Sequence, residues 1–125
     1  MKPMGTIPAD FEITPLRIAG QEAAHWAAMV GDTPLFVYDM AVVQARIQRF
    51  RAAFPSIDLH YAIKANPFAP LLAAIAPLVD GLDVASGGEL AMALPVKPGA
   101  RISFAGPGKR DDELDFAIRS GATIN

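Results

Sequence analysis

Apolar and polar positions along this chain change period several times, and each change marks an element. In Asp58-Leu-His-Tyr-Ala-Ile-Lys-Ala-Asn66 the period is two, so Leu59, Tyr61 and Ile63 share one face of a strand and His60, Ala62 and Lys64 the other. Asn66 and Pro67 supply an N-cap followed by proline at the first helical position. The pattern therefore predicts that Lys64 stands at the carboxyl end of a strand that turns into a helix. Pro67 to Val79 is apolar nearly all round and reads as that helix, closed by an Asp80-Gly81 turn. Leu82-Asp-Val-Ala85 is a short strand, and Ser86-Gly-Gly-Glu89 opens the next helix. After a loop from Pro95 to Gly99, Arg101 to Ala105 is a third strand, closed by Gly106-Pro-Gly-Lys109. Asp111, Asp112 and Glu113 crowd the first turn of a further helix, where negative charge suits the dipole. That helix runs to about Ser120 and stops at Gly121, and Ala122 to Asn125 starts a fourth strand.

The amino-terminal part reads differently. Phe11 to Gly20 is a short extended piece, Gln21 to Val30 has helical composition, and Thr33-Pro-Leu-Phe-Val-Tyr-Asp39 is a strand. Met40 to Phe54 is an amphipathic helix with Val43, Ile47, Phe50 and Phe54 on one face. His25 and Trp26, on the shorter helix, read as packing residues. The expected division is residues 1–40 as an N-terminal strand–helix–strand segment and residues 41–125 as successive βα units.

Strand, turn and helix recur three times at a spacing of about 20 residues, which argues βαβ units and a parallel sheet. Three units and a trailing strand match roughly half of a (β/α)8 barrel, which takes about 250 residues. An open doubly wound sheet is the alternative. No glycine-rich dinucleotide or P-loop fingerprint is present, which weakens its nucleotide-binding version.

Composition narrows the function classes. At 52% hydrophobic residues, 125 residues suffice for one core. A net charge of −2 without a Lys/Arg cluster argues against nucleic acid and anionic membranes. The apolar run from Pro67 to Val79 is too short and too rich in proline to span a bilayer, and no apolar signal core precedes Pro8 and Asp10. The absence of cysteine removes disulfides and thiolate metal sites and fits the cytoplasm. His25 and His60 lack ligand-like spacing.

Four segments, Thr33–Asp39, His60-Tyr-Ala-Ile-Lys-Ala-Asn66, Gly81-Leu-Asp-Val-Ala-Ser-Gly-Gly-Glu89 and Ile102-Ser-Phe-Ala-Gly-Pro-Gly-Lys109, together resemble the amino-terminal half of the fold-type III pyridoxal-phosphate decarboxylases. That family includes the diaminopimelate, ornithine and arginine decarboxylases. The Phe-Ala-Gly-Pro-Gly-Lys form looks most like the branch associated with exosortase systems and like carrier-linked amino-acid decarboxylases. The resemblance implies an α/β fold, a partial (β/α)8 TIM-like barrel comprising about its first half, with the N-terminal segment contributing to a β domain. It implies pyridoxal 5'-phosphate as cofactor, a small-molecule amino-acid substrate and a homodimer.

Residue by residue, the resemblance implies that Lys64 holds the cofactor as a Schiff base. Asp83 matches the acidic residue near cofactor and lysine, and Glu89 the acidic residue just beyond. Ala62, Asn66 and Ser86 match positions lining the same floor, and Gly106 and Pro107 would sit at the mouth of the third strand. The chemistry is coherent: attack on an aldehyde needs a neutral amine, and burial at the mouth of an apolar barrel favours that form. A nearby carboxylate would orient the ammonium form.

Simpler roles exist for several of these residues. Ser86 and Glu89 form a Ser-x-x-Glu capping box, Asn66 is an N-cap, and Gly106-Pro-Gly is first a turn. Lys109 is expected to face solvent, and His60 to pack on the face it shares with Lys64. Asp83 interrupts an apolar run at a central strand position and there requires a partner.

The resemblance also implies a glycine-rich phosphate loop, a carboxylate for the pyridine nitrogen, and a substrate-binding cysteine and tyrosine, all from later segments that these 125 residues do not contain. The segment Leu94-Pro-Val-Lys-Pro-Gly99 also departs from the family's usual helix end. The expectation is therefore a truncated piece, inactive alone, of a longer amino-acid decarboxylase. A non-catalytic pyridoxal-phosphate-binding or partner-binding protein of the same fold is the competing reading. Alanine racemase, a third, lacks support because Pro67-Phe68 follows Lys-Ala-Asn here.

Overall fold

A computed structural model of the chain describes residues 12–125. The readings of Met1 to Phe11, including the signal-core reading before Pro8 and Asp10, lie outside the described residues. The chain divides into two compact units, Met1–Ala45 and Arg46–Asn125.

In the first unit, β1 (Glu12–Ile13), β2 (Leu16–Ile18) and β3 (Gln21–Glu22) form an antiparallel sheet in sequential order. Helix α1 (Ala23–Val30) follows and ends at Gly31, whose φ of 77° lets its amide turn back to the Ala27 carbonyl at 2.9 Å. Trp26, half-buried, donates from Nε1 to the Ile18 carbonyl at 3.0 Å, and the exposed His25 ring meets Trp26 edge-on. The strand expected over Thr33–Asp39 does not form. A strand needs a neighbouring ladder, Pro34 offers no N–H to one, and Phe36 is 86% exposed. Asp39 instead caps α2 (Met40–Ala53), accepting from the Ala41 amide at 2.9 Å and also from the Ala19 amide at 3.1 Å. The apolar face of α2 stays largely open: Val43 and Ile47 are half-buried, and Phe50 and Phe54 are exposed.

The second unit alternates strand and helix, beginning with β4 (His60–Ala62), a 3-10 turn (Ile63–Ala65) and α3 (Ala69–Ile75). Then come β5 (Gly81–Val84), α4 (Gly87–Ala93), β6 (Ile102–Phe104), α5 (Asp111–Arg119) and β7 (Thr123–Ile124). The strands form one parallel sheet in the order β4-β5-β6-β7. This is a partial α/β barrel wall, as the sequence pattern predicts. Helix α3 starts later than expected. Asn66 Oδ1 accepts from the Phe68 amide at 3.0 Å and the Asn66 amide bonds to Ile63, so the chain spends one tight turn before Ala69, and Pro70, not Pro67, lies in the first helical turn.

Leu82, Val84, Ile102 and Phe104, on one face of the sheet, are buried with Leu71, Leu72, Ile75, Leu90, Ala93 and Ala117 of the three helices. The opposite face carries a register row of Ala62, Asp83, Ser103 and Thr123, of which none is buried. Among the described residues no helix is long and apolar enough to cross a membrane.

Candidate active site

Parallel strands place all their carboxyl ends on one edge, and that edge gathers most of the residues the sequence singles out. After Ala62, β4 gives way to its 3-10 turn; Ile63 is fully buried, and Lys64 beside it is exposed. The burial expected of Lys64 is thus not found. The physical reason is the one-sided core: the helices pack against the Leu82–Val84 and Ile102–Phe104 face, while Lys64 belongs to the edge of the other.

Asp83, half-buried on β5, sits in register between Ala62 and Ser103. Its expected partner is not there: among the described residues the side chains of Asp83 and Lys64 make no hydrogen bond or ion pair, and Asp83 is held through its backbone in the ladder. Ser103, which the sequence reading passed over, has a hydroxyl that accepts from Asn125 Nδ2 at 2.7 Å. Its only sequence signal is its alternation with Ile102 and Phe104.

Ser86 and Glu89 are engaged locally. Ser86 Oγ accepts from the Glu89 amide at 3.2 Å, capping α4 as expected. The Glu89 carboxylate accepts from the Ala85 amide at 2.8 Å, one residue earlier than a standard box. Asn66 caps the turn after Lys64. His60 is exposed, and its ring lies over Gly81, where a side chain would collide with it and come within 2.6 Å of the Arg101 carbonyl oxygen.

Two further residues shape the edge. Glu113, which reads in sequence as one of three acidic residues at a helix start, reaches across to the neighbouring loop: Oε1 accepts from the Gly87 amide at 2.6 Å and Oε2 from the Arg110 amide at 3.1 Å. The Gly87 amide, then that of Arg110, hold its carboxyl below the usual glutamate range. Lys109 does not project into solvent as expected. Its Nζ donates to the Gly106 and Asn125 carbonyls, both at 2.6 Å, and lies 5.6 Å from the centre of the Phe104 ring. With Gly106 at φ 109°, the Gly106-Pro-Gly segment is a turn braced by its own lysine.

The edge offers an accessible primary amine just past β4 and, on the adjacent strand, a carboxylate without a side-chain partner among the described residues. That donor set suits a carbonyl-bearing cofactor with polar ring substituents.

The family model described as pyridoxal-dependent decarboxylase, pyridoxal binding domain, matches residues 40–124. A 2-[(L-alanin-3-ylcarbamoyl)methyl]-2-hydroxybutanedioate decarboxylase of Staphylococcus aureus is 39% identical over 87 residues, covering 69% of this chain and 22% of that protein. The diaminopimelate decarboxylase of Aquifex aeolicus is 40% identical over 89 residues, 70% of this chain and 21% of that protein. The crystal structure of the Helicobacter pylori diaminopimelate decarboxylase complexed with L-lysine superposes with a TM-score of 0.73 at 29% identity, covering 82% of this chain and 27% of that one. The chain therefore spans about a fifth of the length of these curated relatives.

Proposed function

Because this chain belongs to the pyridoxal-dependent decarboxylases, matching their pyridoxal-binding domain over residues 40–124, we propose that it carries the cofactor-holding lysine of an enzyme that decarboxylates an α-amino acid. The cofactor is pyridoxal 5'-phosphate. When bound, it supplies an electron-withdrawing ring that takes up the electron pair left as carbon dioxide departs.

The residues of this chain do the rest. Lys64 would hold the cofactor covalently through Nζ, and the same nitrogen would carry the proton that the reaction requires. Asp83 orients the ammonium of Lys64 across the β4–β5 pair. Ala62 keeps the space between them clear. Ser86 and Glu89 hold the loop after β5, and their capping bonds make this a supporting role rather than direct contact with substrate. Residues 1–40 are assigned to a second, β-rich domain, and the assembly is a homodimer.

The observation that carries this reading is the register of Ala62 with Asp83, which puts a carboxylate without a side-chain partner among the described residues next to the end of β4, two residues before Lys64. Incubation with pyridoxal 5'-phosphate, borohydride reduction and peptide mass spectrometry test it. The expected result is one modification, on Lys64, absent from Lys64→Ala. Labelling scattered over surface lysines, equal in Lys64→Ala, would sink it. Carbon dioxide release from a panel of amino acids that includes diaminopimelate then separates a decarboxylase from a protein that only carries the cofactor.

A further inference from the structure

Glu113 lies on α5, yet its shortest contact is with a different βα unit. Its Oε1 accepts the Gly87 amide at 2.6 Å and its Oε2 the Arg110 amide at 3.1 Å. Only 14% of its side chain is exposed, and Arg110 Nε stands 3.6 Å from Oε2. A Cβ on Gly87 would stand 3.1 Å from Glu113 Cγ, so glycine admits this side chain at close range.

A helix cap alone needs just the Arg110 bond. The Gly87 bond does something else: it ties the turn after β5 to the turn after β6. Gly87 lies between Ser86 and Glu89, whose own bonds to the Glu89 and Ala85 amides fix the chain immediately after Asp83. We infer that Glu113 is a positioning residue of the site, holding the Ala85–Glu89 turn, and through it the carboxyl end of β5, in the place that the cofactor-holding edge requires. The inference rests on the proposed function for what the edge holds, but not for the latch itself.

Two variants separate this role from simple capping. Glu113→Gln keeps a carbonyl oxygen for the Gly87 amide but presents an NH2 to Arg110. Glu113→Ala loses both contacts. Amide hydrogen exchange and the rate of borohydride-trapped labelling of Lys64 by pyridoxal 5'-phosphate are measured on the full 125-residue chain. In Glu113→Ala the Ala85, Gly87 and Glu89 amides are expected to exchange roughly tenfold faster and Lys64 labelling to slow several-fold, with Leu82 and Val84 still protected. Glu113→Gln is expected to stay within about twofold of wild type on both. If Glu113→Gln behaves like Glu113→Ala, the residue is only the cap of α5 and the inference falls. It falls too if the Ala85–Glu89 amides exchange at wild-type rates in Glu113→Ala. A wild-type chain that takes up no cofactor at Lys64 would overturn the proposed function and not the latch, which the exchange rates decide by themselves.

Discussion

Leu59 and Asp80 are bonded in both directions: the Asp80 amide donates to the Leu59 carbonyl at 2.9 Å, and the Leu59 amide donates to the Asp80 carboxylate at 2.8 Å. Arg51 Nη2 adds an ion pair to the same carboxylate at 3.0 Å. The exchange sets β4 against β5 at their amino ends, one residue before the ladder begins at His60 and Gly81. The Leu59 amide, then Arg51, lower the Asp80 pKa from its ordinary 3.8. A depressed folded pKa means stabilisation that is complete above the unfolded value and lost as pH falls through the lower folded value. Asp80→Asn is thus expected to lower the urea midpoint near neutral pH and to shrink the gap from wild type below about pH 4. A gap that widens in acid would contradict the assignment.

Lys97 performs the corresponding service for α3. Its Nζ donates to the Ala76 and Val79 carbonyls at 2.6 and 2.8 Å, satisfying groups that the helix end leaves open. Lys97→Met keeps the aliphatic stem and removes both bonds. The expected cost is about 1–3 kcal/mol, read from chemical denaturation; no change would mean that water replaces the ammonium without penalty.

Gly99 is predicted to tolerate no side chain. A Cβ there would overlap the Ser120 carbonyl oxygen and stand 2.7 Å from its carbon, and backbone cannot rotate away as a flexible side chain can. Gly99→Ala should give little folded protein, whereas Gly108→Ala, which meets nothing within 4 Å, should melt close to wild type by circular dichroism.

Phe104 is, among the described residues, the largest fully buried side chain, at 0% exposure. Phe104→Ala is expected to cost about 3–5 kcal/mol through lost burial and the cavity left behind. Phe36→Ala, at a residue 86% exposed, serves as the comparison and should change the unfolding midpoint little.

Most elements of the second unit are legible in the sequence because their signals are short-ranged. The alternation through Leu82 to Val84 and Ile102 to Phe104, the Ser86–Glu89 cap and the Gly121 stop each lie within a few residues. The misreadings have one cause in common. Thr33–Asp39 has the composition of a strand, but a strand forms only against a partner, and composition says nothing of the partner. Asn66-Pro67 has the form of a helix start, but the bond from the Asn66 amide to Ile63 closes a tight turn first. Lys109 looks like a solvated charge until Gly106 and Asn125 present their carbonyls to it.

What the sequence determined on its own is the order of strands and helices from His60 onward and the place of Lys64 at the carboxyl end of β4, since periodicity and caps act over one or two turns of chain. Tertiary structure alone decided that Asp83 stands beside Ala62 and Ser103, that Glu113 reaches Gly87 and that Lys64 lies open rather than enclosed. Those outcomes depend on strand register and on which face of the sheet the helices cover. Both are set by packing between segments some twenty residues apart, where no local pattern reaches.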